Sequence, residues 1–315
     1  ATGADERRPE GLYGFGQVEN VITELQLEAM LRDGEVPPLD RALFIQCAGS
    51  RGQRVTYCSR VCCMTGIKNA MELRERNPGA RVSMLYRDVM AYGISYEELY
   101  QMARGRGVHF IRHPRDEPPR VEQGEDGRVR VTYRDVILGR EVTEEADLLV
   151  LSTPLVQHED AQDLAQMLRV PLGQDRFFFE AHVKLRPIDF ASDGIFLAGT
   201  AHGPKDIEES IVQAFGAAAR SLTFLKAGQV LSEPIVTVVD EETCIGCGNC
   251  VEVCPYGAIE LVEGGKRGRV ARVNPGLCKG CGTCPGACPS GSIQQLGFTD
   301  GQILAMIKAL AEGGD

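Results

Sequence analysis

Two runs of cysteine near the end of the chain constrain its fold more than any other feature. Each run has the spacing C-x2-C-x2-C-x3-C followed by proline, and the runs begin at Cys244 and Cys278. Residues 236–295 therefore contain an internal repeat, which predicts a module with pseudo-twofold symmetry. Gly246 and Gly280 occupy the same place in each run, where glycine lets backbone amides approach the sulfurs.

This spacing is typical of [4Fe–4S] ligation of the bacterial ferredoxin type. Three closely spaced thiolates bind one corner of a cubane, and the fourth cysteine of each run ligates the other cluster. Zinc ribbons use two separated cysteine pairs, so zinc is the weaker alternative. We predict one site from Cys244, Cys247, Cys250 and Cys288, and a second from Cys278, Cys281, Cys284 and Cys254.

The other four of the twelve cysteines form an earlier group. Cys58 and Cys62 are spaced to share a helix face, Cys63 follows directly, and Cys47 ends a preceding strand. A Rossmann unit has its glycine-rich phosphate loop where Cys47-Ala-Gly-Ser stands here, so nicotinamide binding at this loop is not expected. Spacing alone leaves a cluster, zinc, a redox disulfide or packed free thiols as alternatives.

Strands and helices alternate around this group, which predicts an α/β unit. We expect strands at 42–45, 81–86, 108–112 and 147–151, a hairpin over 128–143, and helices at 59–76 and 96–104. A further strand at 194–198 and an Ala-rich helix at 207–226 precede a linker between Gly228 and Pro234. Thr299 and Gln302 form a possible capping box, which predicts a terminal helix.

Composition excludes some partners. The hydrophobic content of 43% is ordinary for a globular protein, and the formal charge of -10 becomes more negative with thiolate-bound clusters, which argues against nucleic acid. No apolar stretch approaches the roughly 18 residues of a membrane helix. Grouped cysteines favour a reducing compartment. We expect a cytoplasmic protein that is not integral to a membrane, although its complex could be membrane-associated.

Four segments resemble the flavin-carrying HdrA chain of heterodisulfide reductase and its bacterial relatives. They are residues 44–51 (Phe-Ile-Gln-Cys-Ala-Gly-Ser-Arg), 57–65 (Tyr-Cys-Ser-Arg-Val-Cys-Cys-Met-Thr), 199–206 (Gly-Thr-Ala-His-Gly-Pro-Lys-Asp) and the ferredoxin repeat. The resemblance implies that Cys47, Cys58, Cys62 and Cys63 bind an additional [4Fe–4S] cluster. Three clusters would then account for all twelve cysteines.

The resemblance also implies a thioredoxin-reductase-like fold, in which two separated segments of one domain bind FAD. The later segment corresponds to residues 194–226, whereas no G-x-G-x-x-G occurs in this sequence, so the chain resembles the C-terminal half of HdrA. The implied flavin contacts are Lys68, near the flavin ring, and the turn Gly199, Thr200, Ala201, His202, Gly203, Pro204 and Lys205. Neither His202 nor Lys205 is assigned a catalytic role.

These predictions define a fold class and a domain order. The expected architecture is an α/β Rossmann-type unit with a partial FAD-domain segment, followed by an α+β 2[4Fe–4S] ferredoxin domain. Its parts are a connecting segment (1–40), a Rossmann-like domain with the Cys47 group (41–155), a partial FAD-binding-type segment (156–232), the ferredoxin domain (233–296) and a C-terminal helix (297–315).

The expected function is electron transfer in a larger oxidoreductase complex. Electrons would pass through three clusters that connect a flavin or partner chain with a ferredoxin-like exit. The alternative is a complete flavin-based electron-bifurcating subunit whose FAD is shared with another chain. A third hypothesis is a scaffold whose cluster modules dock other chains. Expected partners are other subunits of a redox complex, ferredoxin or a flavin-carrying chain.

Overall fold

A parallel sheet forms the centre of the first part of the chain. We analysed a computed structural model that describes residues 2–228 and 234–312. The strands of the first part are β1 (Ala4–Glu6), β2 (Val21–Thr23), β3 (Arg41–Ile45), β4 (Arg81–Tyr86), β5 (Val108–Arg112), β6 (Arg120–Gln123), β7 (Val129–Asp135), β8 (Arg140–Ala146), β9 (Leu148–Leu151) and β10 (Leu155–Gln157). The helices are α1 (Glu24–Asp33), α2 (Cys62–Arg76), α3 (Tyr96–Gly105), α4 (Ala161–Leu168) and α5 (Ile207–Ala227).

The order of the central sheet is β2-β9-β3-β4-β5, and every neighbouring pair in it is parallel. Its middle strands are continuous apolar runs because both faces are covered, as is usual for parallel strands. On one face, Phe44 packs in a cluster with Leu27 of α1 and Ile67 of α2. On the other face, Leu43 packs with Val131 of the antiparallel β6-β7-β8 sheet.

The predicted strands at 42–45, 81–86 and 108–112 are confirmed to within a residue. The helix that we expected from residue 59 begins instead at Cys62. Arg60 has a φ of 63°, a left-handed conformation that cannot belong to a right-handed helix, so the helix starts only after it.

Residues 1–40, which we described as a connecting segment, also contribute to the sheet. β2 pairs with β9 at the sheet edge, and α1 packs on the core. The Thr23 hydroxyl accepts from the Gln26 amide while the Gln26 side chain accepts from the Thr23 amide, a reciprocal cap that starts α1.

The strand predicted at 194–198 is wrong. Phe196 forms an isolated bridge with Asp189, and the described residues include no strand over 194–198. A strand needs a continuous row of hydrogen bonds with a neighbour, and a single bridge does not provide one.

The second part of the chain repeats one small unit twice. Its elements are β11 (Thr237–Val239), α6 (Asn249–Glu252), β12 (Ile259–Glu263), β13 (Arg269–Val273), α7 (Thr283–Ala287), β14 (Ile293–Gln295) and α8 (Asp300–Glu312). Each repeat is a strand, a cysteine loop, a short helix and a strand. β11 pairs with β14 and β12 with β13, both antiparallel, so the predicted pseudo-twofold relation is present.

The chain divides into two compact units. The first comprises residues up to Gln166 with Val170–Phe190 and Phe196–Ala218, and the second comprises Met167–Arg169, Ala191–Ile195 and the described residues from Ala219 onward. The predicted linker between Gly228 and Pro234 falls largely on residues 229–233, outside the described residues. The domain boundaries that we drew remain predictions.

α8 begins with the predicted capping box. The Thr299 amide donates to Gln302 Oε1 at 3.1 Å, and the Gln302 amide donates to Thr299 Oγ1 at 3.4 Å. α8 buries none of its described residues. Across residues 2–228 and 234–312, no helix combines the length and apolar character that a membrane span requires.

Candidate metal centres and the adjoining turn

Sulfurs from both cysteine runs line one cavity in the second unit. Cys244, Cys247 and Cys250 of the first run line it together with Cys288 of the second run. Side chains such as Leu261 complete an apolar wall. The fold thus brings together the four residues predicted for the first site.

The second predicted site also draws on both runs. Cys284 is buried, and this burial raises the pKa of its thiol. The charges of Cys278 and Cys254 act in the same direction. Cys254 packs against the apolar cluster that contains Cys284. Cys281, the remaining predicted member, is exposed. A thiol that resists ionisation becomes a ligand only when positive charge offsets the desolvation.

Glycine is required in both cysteine loops for a steric reason. Gly246 and Gly280 have φ values of +66° and +59°. A Cβ atom at Gly246 would overlap the carbonyl oxygen of Arg269, and one at Gly280 would overlap that of Ile235. The Gly246 loop therefore packs directly against β13, and the Gly280 loop packs against the segment before β11. Glycine is needed for this close packing as well as for the approach of backbone amides to sulfur.

The Cys47 group comes together in the first unit. Cys47 is the second residue after β3, Cys58 lies in the loop before α2, and Cys62 and Cys63 are the first two residues of α2. The charges of Cys47 and Cys63 both raise the pKa of Cys58, behind the larger effect of burial. Cys58 is therefore within electrostatic range of Cys47 and Cys63.

Cys47 itself has unusual backbone geometry. Its φ is 59°, in the left-handed region that costs a non-glycine residue about 1 kcal/mol or more. Its side chain is only 5% exposed. Such strain persists only where the surroundings impose it, and it is common at functional sites.

Cys62 and Cys63 behave as a pair. The neighbouring Cys62 thiol lowers the pKa of the Cys63 thiol to about 7, and the pKa of Cys62 is raised in turn. One thiolate is thus favoured at the start of α2, where the helix dipole also stabilises negative charge. In the part of the chain that the structure describes, no three His, Cys, Asp or Glu side chains stand in position to hold a single metal ion.

The predicted flavin turn lies on the first unit as a short 3-10 helix, Gly199–Ala201. His202 Nε2 lies 2.7 Å from Glu180 Oε2, and His202 Nδ1 lies 3.0 Å from Gln213 Nε2. The Gly199 amide in turn donates to Gln213 Oε1 at 2.9 Å. These hydrogen bonds hold the turn from both sides.

Burial and hydrogen bonding shift the pKa values of two charged residues at the turn. Burial favours a higher pKa for Glu180, but hydrogen bonds from its own backbone amide and from His202 outweigh it and lower that pKa. Burial lowers the pKa of Lys205. A cavity of about 340 Å³ lies beside the turn and is lined by Tyr57, Cys58, Phe177, Phe179, Glu180 and His202, among others. The turn and Cys58 of the Cys47 group therefore line a common cavity.

Sequence reasoning missed Glu180 and Gln213, which hold His202. No local signal marks them, because both contacts form between residues that are distant along the chain. Lys68 lies elsewhere, at a cavity between α1 and α2, where it forms a 2.6 Å ion pair with Glu28. Among the described residues, Lys68 is not part of the lining of the cavity beside the turn.

Comparison with known proteins agrees with the cysteine pattern. Residues 243–292, which contain all eight cysteines of the two runs, match the 4Fe-4S dicluster domain family. An iron-sulfur chain of the A type from the CoB–CoM heterodisulfide reductase of Methanopyrus kandleri is 47% identical over 80% of this chain and 40% of its own length. The A-type chain of the H2:CoB-CoM heterodisulfide,ferredoxin reductase of Methanothermobacter marburgensis is 43% identical over 98% of this chain and 48% of its own.

The chain is similar to the C-terminal half of HdrA, the A-type chain of heterodisulfide reductases. It spans about half the length of the curated relatives that it matches. Among solved structures, thioredoxin reductase from Lactococcus lactis aligns with 20% identity and a TM-score of 0.45, covering 71% of this chain and 63% of that one. That similarity is too low to carry an argument. The chain is therefore an iron–sulfur electron-transfer protein with a 4Fe-4S dicluster domain.

Proposed function

We propose that this HdrA-type chain relays electrons through three [4Fe–4S] clusters. The proposed ligands are Cys244, Cys247, Cys250 and Cys288 for the first cluster, Cys278, Cys281, Cys284 and Cys254 for the second, and Cys47, Cys58, Cys62 and Cys63 for the third. The observation that carries this proposal is the gathering of Cys288 with the first run, since only the two-cluster arrangement requires that exchange.

The residues present fit clusters of this kind. The first cavity offers four sulfurs, apolar side chains and a backbone made accessible by glycine. When bound, such clusters exchange single electrons at potentials set by charge, hydrogen bonds and solvent exposure. The chain supplies hydrogen bonds directly, because the Ala258 amide donates to Cys254 Sγ at 3.3 Å and the Arg60 amide donates to Cys58 Sγ at 3.3 Å.

The ferredoxin-like module is the proposed exit. Cys247 and Cys281 are exposed, one in each cysteine run. Electron transfer to an external acceptor needs a short path through the protein surface, and an exposed ligand provides one. We infer that ferredoxin or another chain of a multi-subunit redox complex docks at this end. A cytoplasmic location fits, because grouped thiols persist in a reducing compartment.

The Cys47 group is proposed to receive electrons, beside a flavin. Cys58 and His202 line the same cavity, and the turn that the resemblance assigns to FAD is held in place by Glu180 and Gln213. Gly199 to Lys205 would contact the flavin nucleotide, whose pyrophosphate would be bound by a segment or chain outside this sequence. Lys68 remains a proposed contact to the ring.

This ordered turn also favours a second candidate function. A chain that shares a complete FAD with a partner could act in flavin-based electron bifurcation, in which the flavin splits a hydride pair. Extraction of flavin from the native complex, counted against this chain and against the flavin bound by its partners, tests this alternative. One FAD per chain beyond the flavin bound by the partners would favour bifurcation. No additional FAD would favour the electron relay.

Stopped-flow spectroscopy tests the relay. Reduced ferredoxin or dithionite should bleach the visible absorbance of all clusters, and a purified partner complex should restore it rapidly. The variant Cys58→Ser should lose only the contribution of the Cys47 group, while Glu122→Gln, an exposed substitution on β6, should change nothing. Slow or absent reoxidation of the wild-type chain by every partner would favour a docking role instead.

A further inference from the structure

A strongly basic cavity opens at the carboxyl ends of the parallel sheet. Its volume is about 500 Å³, and we call it the arginine cavity because its lining includes Arg7, Arg54, Arg87 and Arg115. The loop after β3, the residue after β4 and the residue after β5 all contribute to it, through Ser50, Arg87 and His113 respectively. The volume lies within the range of small-molecule sites.

The four arginines have no carboxylate partners among the described residues. Arg87 donates to the carbonyl of Ser50 at 3.0 Å, and Arg115 donates to that of Arg51 at 3.3 Å. Carbonyl oxygens orient these guanidinium groups but do not neutralise their charge. Of the described residues, Glu10 alone brings a carboxylate to the lining, in a chain whose formal net charge is -10.

A buried histidine in the lining has an unused nitrogen. His113 is 4% exposed, and its Nδ1 lies 2.9 Å from the carbonyl oxygen of Pro114, to which it must donate. Its Nε2 has no hydrogen-bond partner in the described part of the chain. Burial lowers the pKa of His113 and outweighs the opposite effect of the Pro114 carbonyl, so the neutral ring offers Nε2 as an acceptor for a hydroxyl. An unsatisfied buried nitrogen has a cost that a ligand would remove.

The remaining lining is partly apolar. Leu12, Tyr13 and Pro118 lie in it with the charged residues. In open α/β sheets, ligands bind in the crevice beyond the carboxyl ends of the strands. A ligand that matches this lining carries an anionic group for the arginines, a hydroxyl for His113 and a flat apolar part for Tyr13.

We propose that the arginine cavity binds the phosphate-bearing part of a nucleotide, through Arg54, Arg87 and Arg115. The phosphate accepts from the guanidinium groups, which form two parallel hydrogen bonds well with phosphate oxygens. A ribose hydroxyl donates to His113 Nε2. The nucleotide is either free or the ADP moiety of a dinucleotide, and the site is separate from the turn at Gly199.

Titration calorimetry of the full, cluster-loaded chain tests this proposal. ADP should bind saturably, and the affinity should fall with added salt because the contacts are ionic. FAD that displaces bound ADP at a concentration at least about tenfold lower than unlabelled ADP requires would identify a dinucleotide as the source, and equal displacement would identify a free nucleotide. Absence of saturable ADP binding would overturn the proposal, as would inorganic phosphate binding as tightly as ADP.

Variants at the cavity rim show where binding occurs. Arg54→Gln and Arg115→Gln should each weaken ADP binding at least about tenfold, since a charge-assisted hydrogen bond is lost. Arg140→Gln, an exposed arginine on β8 outside the cavity, is the matched control and should leave binding unchanged. Visible cluster absorbance confirms that each variant is loaded. Undiminished ADP binding in both loaded cavity variants would overturn the proposal. In the wild-type chain, inorganic phosphate should compete weakly with ADP for the cavity, and a complete lack of competition would overturn the proposal without any variant.

Discussion

Arg60 and Glu209 join the Cys47 group to the helix that follows the proposed flavin turn. Arg60 Nη2 lies 2.6 Å from Glu209 Oε1, and the guanidinium stacks over the ring of Tyr92 at 4.6 Å. The Tyr92 hydroxyl donates to Glu209 Oε2 at 3.1 Å, so each of the three side chains contacts the other two. Arg60 is also the left-handed residue between Cys58 and Cys62, so this contact fixes the segment that carries the cysteines.

Removal of the Arg60–Glu209 ion pair should lower the free energy of unfolding of the first unit. We expect the Arg60→Ala and Glu209→Ala double-mutant cycle to give a coupling energy of about 0.5–1 kcal/mol in the free energy of unfolding, because the pair is only partly exposed. Arg120 and Glu141 form a more exposed pair in the same unit and should show a smaller coupling. Urea unfolding of the cluster-free chain measures both, and equal couplings would contradict this role.

Replacement of Gly246 by alanine should disrupt the second unit. The new Cβ atom would overlap the Arg269 carbonyl oxygen, and the positive φ adds about 1 kcal/mol or more. We expect a lower thermal unfolding midpoint and loss of iron from the ferredoxin-like module. Gly286→Ala is the matched control, because nothing lies within 4 Å of its Cβ position and alanine suits its helix. Similar losses in both variants would argue against the steric explanation.

Exchange of the fourth cysteines gives a spectroscopic prediction. Cys288→Ser should alter the same cluster as Cys247→Ser, whereas Cys281→Ser should alter the other one. Electron paramagnetic resonance of the reduced variants distinguishes the two clusters by their separate signals. If the spectrum of Cys288→Ser matched that of Cys281→Ser instead, each run would serve its own cluster and the proposed ligand sets would be incorrect.

The turn at Gly199 should depend on Gln213. In Gln213→Ala, the Gly199 amide loses its 2.9 Å acceptor, and His202 loses one of its two partners. We expect faster hydrogen exchange at Gly199 and a stability loss of about 1 kcal/mol. Exchange at the Ser210 amide, which donates to the Asp206 carbonyl, serves as the internal reference. Unchanged exchange at Gly199 would show that the turn is held by other contacts.

Sequence information was sufficient where the signal is local or carried by a motif. The two cysteine runs predict the gathering of Cys288 with Cys244, because the spacing itself encodes the exchange between repeats. The strands of the parallel sheet are apolar runs whose burial determines their residue types. The capping box at Thr299 depends on residues three positions apart.

Long-range contacts were beyond sequence reasoning. Glu180 and Gln213 meet His202 only in the folded chain, and no spacing rule connects them. The strand expected at 194–198 has suitable residues but, within the described residues, finds only Asp189 as a bridge partner. β2 shows the opposite case, since a three-residue segment becomes a strand because β9 lies beside it.

Quantification of iron and acid-labile sulfide in the purified, fully loaded chain tests the central claim most directly. Three cubanes predict about twelve iron and about twelve sulfide per chain, and Cys58→Ser should lower each by about four. About eight of each in the wild-type chain, unchanged in Cys58→Ser, would contradict the claim that the Cys47 group holds a cluster.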